Sequence, residues 1–420
     1  MILFKNMKTK KIKDNFEYIL VLLLLLFSFG FTLYQNLTVQ HWKHYGLLAQ
    51  SFLQGRTDIQ EKPEKLLDTV PGTDGRYYFF NDPLPAVFMM PFVAIGGARV
   101  SQGYLSFIIT LISAFFVWRI LSIIGRENKK LSFINRLWLL LAFFFASNMV
   151  SVIYSPHPWF LAQNIGIMWV LFLIYEWLSK KRLIVLFILM FLLTLTKKNM
   201  VLPIFIYFCI DSLFFKEKFL QKTLRIGIVV LALILGSFTL FNYQRIGLSN
   251  DTLLNFYNNA HVEQEVLDKV QKYGFWSIAH FPTNFVNYFL AGPVIVRENP
   301  NDFHSHLSPP YLYPPFQGIS IFFLSPIFLA LIFLPLPGVR KTLPILGAFL
   351  TWAVMYLTYH ASGAAQFGSR YGAEVIPFLF LLLCYALPDN FSKRAKAVIV
   401  FSVFLNMFLF RSLMSFYMNP

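Results

Sequence analysis

The sequence has few of the residues that cover a soluble surface. Only 13% of its 420 residues are charged, whereas 57% are hydrophobic. A soluble globular domain carries about 25% charged residues, so this composition excludes one. Residues 19–33, ILVLLLLLFSFGFTL, are one of several long apolar runs. We therefore predict an all-α polytopic membrane protein, with one integral membrane domain over residues 1–420.

Cysteine is nearly absent, and the common metal and nucleotide motifs are missing. Cys209 and Cys384 both lie inside apolar runs, which favours buried packing over a disulfide or a thiolate metal site. The stretch NDFHSH contains Asp302, His304 and His306 but lacks a third, helically spaced histidine. No metal site and no certain cofactor are predicted, and a requirement for a divalent cation stays open.

Acidic residues are scarce as well, with 20 Asp and Glu against 36 Lys and Arg. A net charge of +16 can indicate nucleic-acid binding. Here the basic residues form short clusters between apolar runs, which is typical of a polytopic membrane protein. We therefore expect membrane lipids as partners and no nucleic acid.

The positions of the basic clusters predict the topology. Apolar stretches taken as spans lie at 17–35, 100–123, 133–151, 158–178, 183–196, 199–214, 224–243, 318–337, 343–359, 374–388 and 397–412. These make eleven crossings, and with a cytoplasmic N-terminus every inner connection is basic, as the positive-inside rule requires. On this topology 13 of the 20 acids lie on the outer side, so a polar site is expected there.

One apolar stretch, residues 83–97, is too short to span. Fifteen helical residues reach about 22 Å, whereas the hydrocarbon core is about 30 Å thick. Counting it as a crossing would also turn every later basic connection outward. We predict an outer interfacial or re-entrant helix that helps to wall a cavity.

The sequence TKKN, residues 196–199, interrupts another apolar stretch. It predicts the outer turn of a helical hairpin, with Lys197 and Lys198 near the headgroup level. Two interpretations stay open: the lysines extend to the interface, or they form a cationic site for a lipid-borne phosphate. Arg370 has a similar pair of roles, since it could bind Glu374 four residues on or bind a phosphate.

The two long outer loops are predicted at 36–99 and 244–317. Residues 41–54 of the first loop have the pattern of an interfacial amphipathic helix. Asp74 fits ordinary turn chemistry, and Asp82 before Pro83 fits a helix cap. Asp58 and Asp68 have no evident local role and are the better candidates for a functional carboxylate.

Three stretches occur in an order that resembles a known family. They are residues 46–97, which include GLLAQSFLQGRTDI and DTVPGTDGRYYFFNDPLPAVFMMPFVAIGG; residues 155–208, which include TLTKKN; and GAAQFGSRYGAEVIPFLFLLL, residues 363–383. Together they resemble the bacterial GT-C superfamily, the multispanning, dolichyl-phosphate-mannose mannosyltransferase-like enzymes that use polyprenyl-phosphate sugars. The resemblance covers the chain from about residue 45 to about residue 385.

The resemblance implies an outer-facing cavity, a catalytic carboxylate in the first loop and a lipid-linked donor that enters from the side. Its motifs match this chain at Asp68, Asp74, Gly75, Arg76, Tyr77, Tyr78, Gln366, Gly368, Arg370 and Tyr371. Glu374 stands near a common aspartate. One departure is clear: many relatives carry an acid directly after the first span, whereas this chain has YQNLTVQHWKHY and its first acid in that loop is Asp58.

The expected function is hexosyl or pentosyl transfer, with inversion, from a polyprenyl-phosphate donor to an envelope glycan, lipid or protein acceptor. The site is expected on the outer face of a bacterial inner (cytoplasmic) membrane. The predicted roles are catalytic base for Asp68 or Asp58, donor phosphate binding for Lys197, Lys198 and Arg370, and substrate binding for Arg76, Tyr77, Tyr78, Gln366 and Glu374. A lipid-linked glycan transporter and a non-catalytic GT-C-like binding or scaffold protein remain alternatives.

Overall fold

A computed structural model shows a mainly helical chain with two small antiparallel sheets. It describes residues 2–39, 41–59, 69–72, 74–79, 81–128, 131–214, 217–246, 264–299, 304–387 and 391–418. The helices of the first half are α1 (Ile2–Thr38), α2 (His44–Leu53), α3 (Leu84–Gly96), α4 (Gly103–Asn128), α5 (Phe133–Phe145), α6 (Val150–Ile153), α7 (Pro158–Leu178), α8 (Leu183–Lys197), α9 (Val201–Ser212) and α10 (Glu217–Ile246). A 3-10 turn, Lys198–Met200, joins α8 to α9.

The second half has shorter and more irregular elements. Its helices are α11 (Gln264–Tyr273), α12 (Phe281–Phe285), α13 (Ile321–Leu324), α14 (Val339–Leu357), α15 (Arg370–Ala373), α16 (Ile376–Ala386) and α17 (Lys393–Met418), with 3-10 turns at Ile278–His280 and Pro326–Ile332 and a π-helical turn at Val286–Leu290. The strands pair as β1 (Thr69–Pro71) with β2 (Tyr77–Phe79), and β3 (Val294–Arg297) with β4 (Leu307–Tyr313).

Five helical segments in the described part of the chain are long and apolar enough to cross a membrane. They are Phe16–Thr38, Gly103–Glu127, Pro158–Leu178, Leu183–Ser212 and Lys393–Met414. Shorter apolar helices lie at Leu84–Gly96, Phe133–Phe145, Arg225–Phe241 and Ile376–Ala386. These elements support a helical membrane protein, whereas the count of eleven crossings stays a prediction.

Contacts between helix termini define two ends of the molecule. At the basic end, Lys396 Nζ lies 2.5 Å from Glu17 Oε1, and Lys341 Nζ lies 3.0 Å from Glu127 Oε2. At the loop end, Asn36 Nδ2 donates to the Ile153 carbonyl at 2.7 Å. The first residue of α4 also contacts the end of α1 there, since a Cβ added to Gly103 would lie 1.8 Å from the Asn36 carbonyl oxygen.

The chain from residue 39 to residue 102 therefore leaves and returns at the loop end. Its helix α3 has 13 residues, which span about 20 Å and are too few for a bilayer crossing. Residues 83–97 thus do not change the direction of the later helices, as the charge pattern indicated. Helix α2 likewise confirms the helix predicted over residues 41–54.

The segment Leu183–Ser212 reverses direction at the TKKN turn. Leu183 lines a small cavity with Ile226 and Val229 of α10, and a Cβ added to Gly227 would lie 2.0 Å from the ring of Phe205. In one straight helix residues 183 and 205 would be about 33 Å apart, so they could not both contact the same two turns of α10. Helices α8 and α9 therefore form a hairpin with its apex at residues 197–200.

Two predicted spans are not continuous helices. The span predicted at 133–151 breaks after Phe145, where the Ser147 hydroxyl bonds backbone groups and competes with the helix. The span predicted at 318–337 contains only α13 and the 3-10 turn that follows. Pro326 has no backbone N–H and disfavours a helical conformation at the residue before it, and Ser325 has φ −131°.

Buried side chains satisfy the backbone at these two breaks. Asn406 of α17 donates its Nδ2 to the carbonyl of Phe145 at 3.0 Å and to that of Leu324 at 3.1 Å. The backbone N–H of Asn148 donates to Ser325 Oγ at 2.7 Å. Irregular backbone at membrane depth is tolerated only where protein groups satisfy it, and here three distant segments do so.

A hydrophobic cluster attaches the first loop to α7. Tyr45 and Leu48 of α2, Phe79 of β2 and Met89 of α3 pack with Leu161 of α7, and all five are fully buried. This packing places the first loop over the N-terminal half of α7, next to the hairpin apex.

Candidate functional site

Two of the predicted phosphate ligands meet at one tyrosine. Lys197 Nζ lies 5.7 Å from the ring centroid of Tyr371, and Arg370 Cζ lies 5.0 Å from it. An Nη atom of Arg370 also donates to Tyr371 Oη at 3.2 Å. The end of α8 and the start of α15 therefore bring together two cations that are far apart in the sequence.

Glu374 is buried beside this pair, with 5% of its surface exposed. Its Oε1 accepts from Gln163 Nε2 at 2.9 Å, and its Oε2 accepts from Tyr356 Oη at 2.6 Å. The ring of Tyr356 stacks on that of Tyr371, with centroids 4.8 Å apart. We refer to Lys197, Arg370, Tyr371, Glu374, Tyr356 and Gln163 as the charged cluster.

Local sequence features hold both cations in place. Gly166 of α7 lets the hairpin apex approach closely, since a Cβ there would lie 2.8 Å from Met200 Sδ and 3.1 Å from Lys197 Cβ. Ser369 caps α15, because its hydroxyl accepts from the backbone N–H of Gly372 at 3.2 Å. The indole N–H of Trp352 donates to the Tyr371 carbonyl at 2.8 Å, which fixes this short helix on α14.

Lys198 faces a different partner from Lys197. Its Nζ lies 3.3 Å from Asp82 Oδ1, so it attaches the hairpin apex to the segment that leads into α3. The expectation that Asp82 caps α3 is wrong, because the cap residue is Pro83 and makes no side-chain cap bond. The carboxylate of Asp82 instead forms an ion pair with the ammonium group of Lys198, which is distant in the sequence.

Asp58, a predicted base, is a buried and paired carboxylate. Its side chain is 4% exposed, Arg56 donates to both of its oxygens, and an Nη atom of Arg76 lies 3.8 Å from Oδ1. Transfer of a proton from a substrate hydroxyl to Asp58 would weaken these ion pairs, because protonation removes the negative charge of the carboxylate. Asp68, the other predicted base, lies outside the described residues.

The rest of the DGRYY motif builds a tight turn between β1 and β2. Asp74 Oδ1 accepts from the backbone N–H of Arg76 at 3.0 Å, and Oδ2 accepts from Tyr78 Oη at 2.9 Å. The bond from the Arg76 backbone is the main reason that the pKa of Asp74 lies below its ordinary value. Gly75 has φ +74°, which a glycine adopts without strain, and Tyr77 pairs with Ile59.

Gln366 braces the loop that carries Arg370. Its Nε2 donates to the carbonyls of Gln317 at 2.6 Å and Ser362 at 3.1 Å, and its Oε1 accepts from the Arg370 backbone N–H at 3.4 Å. Gln366 is buried, with 1% of its surface exposed, and its hydrogen bonds hold the backbone of Arg370 in place. Its predicted contact with substrate therefore stays a prediction.

An aromatic layer extends from the charged cluster to the first loop. The guanidinium carbon of Arg370 lies 5.3 Å from the ring centroid of Trp159, and the rings of Trp159 and Trp42 meet edge to face at 4.8 Å. His157 contacts both tryptophans, at 6.3 Å and 5.5 Å. We refer to Trp42, His157 and Trp159 as the aromatic platform.

His41 and His157 are both neutral. His41 Nε2 accepts from the backbone N–H of Gln102 at 3.1 Å, so its proton is on Nδ1, which lies 3.0 Å from the Val39 carbonyl. Burial, together with smaller repulsive effects of His41 and His44, lowers the pKa of His157 to about 3. The platform therefore presents uncharged rings beside the cation of Arg370.

An apolar groove of about 910 Å³ lies behind the charged cluster. It is lined by Phe281, Phe285, Phe289, Leu290, Ser320, Phe322, Phe323, Pro326, Leu329, Ile332, Phe349, Leu350, Ala353, Leu357, Phe401 and Leu405. The rings of Phe289 and Phe349 contact Trp352 at 6.2 Å and 5.9 Å, and Trp352 bonds the Tyr371 backbone. One aromatic layer therefore separates the groove from the charged cluster.

Several members of the site were not predicted from the sequence. Tyr356, Gln163 and Trp159 lie inside or at the edge of apolar runs, where aromatic and amide residues usually serve packing. A signal was present in PHPW, residues 156–159, where a span begins with histidine and tryptophan beside an outer loop. Within the described residues no group of three or more His, Cys, Asp or Glu could hold a metal ion.

Comparisons with protein-family models, curated proteins and solved structures found no match to this chain.

Proposed function

We propose that this chain is a membrane glycosyltransferase that transfers a sugar from a polyprenyl-phosphate donor to an envelope glycan, lipid or protein acceptor. One observation carries the proposal: Lys197 and Arg370 converge on Tyr371 beside buried Glu374, one aromatic layer from an apolar groove. A donor with an anionic head and a hydrocarbon chain needs a cationic site and an apolar surface close together.

The groove has the size and lining that such a chain needs. Its volume of about 910 Å³ is near the upper end of the range of about 300–1,000 Å³ for ligand pockets. Among the described residues that line it, Ser320 is the single polar one. In a membrane this surface favours a hydrocarbon chain, while the two cations hold the phosphate.

The chemistry requires few groups. The acceptor hydroxyl attacks the anomeric carbon of the sugar, and its proton passes to a carboxylate, for which Asp58 and Asp68 are the candidates. The bond between the anomeric carbon and the phosphate oxygen breaks, and the phosphate keeps the electron pair. Lys197 and Arg370 stabilise the charge that develops on this leaving group, and attack from the opposite side inverts the anomeric configuration.

The orientation is part of the proposal. The connections at the basic end include SKKR, residues 179–182, and VRK, residues 339–341. By the positive-inside rule this end faces the cytoplasm of a bacterium, and the loop end with the site faces outward across the inner membrane.

The experiment is turnover of the purified protein in nanodiscs. It uses a panel of polyprenyl-phosphate sugars and measures release of free lipid phosphate. We expect Lys197→Gln and Arg370→Gln to lose about 10²–10³ in rate, the loss usually caused by removing one group that stabilises the developing charge. Lys198→Gln, whose partner is Asp82, is the matched control and should lose less than tenfold. Asp58→Asn and Asp68→Asn then identify the base. Absence of release with every donor would refute the proposal.

The two helix breaks favour one other function, transport of a lipid-linked glycan. Transporters often build their sites from discontinuous helices, and here the breaks after Phe145 and Leu324 meet at Asn406. Movement of a fluorescent lipid-linked glycan across a liposome membrane, without release of lipid phosphate, would favour transport. Saturable binding with neither activity would favour a non-catalytic binding protein, which the paired state of Asp58 also allows.

A further inference from the structure

The aromatic platform has the composition of a carbohydrate site. Trp42, His157 and Trp159 are each half-buried. A pyranose presents weakly positive C–H groups on one face, which are attracted to the negative face of an aromatic ring. Its hydroxyl groups need hydrogen-bond donors at the ring edge, and an indole N–H is such a donor.

The platform has donors available for these hydroxyls. In the described part of the chain the indole N–H groups of Trp42 and Trp159 make no hydrogen bond to protein, whereas that of Trp352 is bonded to a carbonyl. His157 Nδ1 is buried and also has no partner among the described residues. Buried polar groups are normally satisfied, so a ligand hydroxyl is a suitable partner for His157.

The position of the platform indicates what it would bind. Trp159 contacts both Arg370 and Trp42. The platform therefore lies directly beside a cation that is proposed to bind the donor phosphate. Aromatic residues at a membrane boundary often serve as interfacial anchors. These rings instead pack against one another and against a guanidinium of the charged cluster, which turns them toward the site.

We propose that Trp42, His157 and Trp159 form a binding site for an uncharged sugar ring. The ring belongs either to the donor or to the acceptor, and this part of the inference rests on the proposed function. The neutral histidine and the stacking surfaces favour uncharged rings over sugar acids or sugar phosphates.

The first experiment measures sugar binding without turnover. Saturation-transfer difference NMR on the protein in nanodiscs uses methyl glycosides of glucose, galactose and N-acetylglucosamine as probes, with cyclohexanol as the apolar control. We expect at least one glycoside to receive saturation on the C–H protons of one face. The signal should fall at least fivefold in Trp42→Ala and Trp159→Ala and return in part in Trp159→Phe.

Trp276→Ala is the matched control, because Trp276 is 62% exposed and lies at the loop end, outside the platform. Each variant is compared at equal thermal stability and equal elution volume, so that a folding defect is recognised. Absence of binding by all three glycosides would overturn the inference. So would an equal loss of signal in Trp276→Ala.

The second experiment assigns the source of the sugar. In the lipid-phosphate release assay, Trp159→Ala should raise KM for one substrate by at least fivefold. A rise for the acceptor alone places the acceptor on the platform, and a rise for the donor alone places the transferred sugar there. A change in kcat with both KM values unchanged would contradict a binding role. Glycoside binding without lipid-phosphate release would leave the sugar site standing and remove the proposed function.

Discussion

At the scale of single residues, Glu374 is the group whose chemistry can be changed with least change of shape. Glu374→Gln keeps an oxygen for Gln163 and a polar contact to Tyr356, whereas Glu374→Ala leaves both buried groups without partners. Each unsatisfied buried group costs about 1–3 kcal/mol, so Glu374→Ala should unfold at a clearly lower temperature than Glu374→Gln. Thermal unfolding in detergent measures this, and equal midpoints for the two variants would contradict it.

His157 should make the fold sensitive to acid. Its pKa of about 3 in the folded chain lies below the ordinary value of 6.5, so the unfolded chain binds the proton first as pH falls. The contribution of neutral His157 to the free energy of unfolding is therefore fully present above about pH 6.5. It decreases toward pH 3, by up to about 1.4 kcal/mol per pH unit. His157→Gln removes this contribution. The gap in unfolding temperature between wild type and variant should shrink from neutral pH to mildly acidic pH, and a constant gap would exclude the effect.

At the scale of elements, the α8–α9 hairpin predicts which residues share a side of the membrane. Asn199 at its apex and Lys180 before α8 are both exposed. In a Cys209→Ser, Cys384→Ser background, Asn199→Cys should react with a membrane-impermeant maleimide in intact cells. Lys180→Cys should react only after the membrane is permeabilised. If both cysteines react from outside, residues 183–212 do not form an outward-pointing hairpin.

The two helix breaks depend on one side chain of α17. Asn406→Leu removes the donor to the carbonyls of Phe145 and Leu324 and leaves both unsatisfied in the interior. We expect a loss of about 2–6 kcal/mol in unfolding free energy, because each of the two buried carbonyls without a partner costs about 1–3 kcal/mol. The control is Ser402→Ala, since within the described residues Ser402 Oγ bonds only the Val398 carbonyl of its own helix. Chemical unfolding in mixed micelles compares the two, and equal losses would exclude a special role for Asn406.

At the scale of the whole molecule, the groove is built from four parts of the second half of the chain. Ala353 lines it from α14 and is 8% exposed, whereas the next residue, Val354, is 65% exposed and lies outside it. Ala353→Trp should fill the groove, and Val354→Trp should not. We expect Ala353→Trp to raise KM at least tenfold for a long-chain donor and to leave KM for a short-chain analogue nearly unchanged. The same KM for both donors in this variant would show that the chain does not enter the groove.

Features that depend on local composition can be predicted from the sequence alone. Long apolar runs and few charges are enough to predict a helical membrane protein, because each spanning helix satisfies the hydrogen bonds of its own backbone. The short length of residues 83–97 and the lysines of TKKN likewise predicted a helix that does not span and a turn between two short arms, since helix length and the cost of a buried charge are local quantities.

Which polar groups meet depends on the packing of the helices. Lys197 and Lys198 are neighbours in the sequence, yet one contacts Tyr371 and the other Asp82, because the turn at the hairpin apex directs them to different elements. The partners of Asp58, the breaks satisfied by Asn406 and the groove beside Trp352 depend in the same way on segments that are distant in the chain. Contacts of this kind follow from how helices pack, and no periodicity or composition within a single span encodes them.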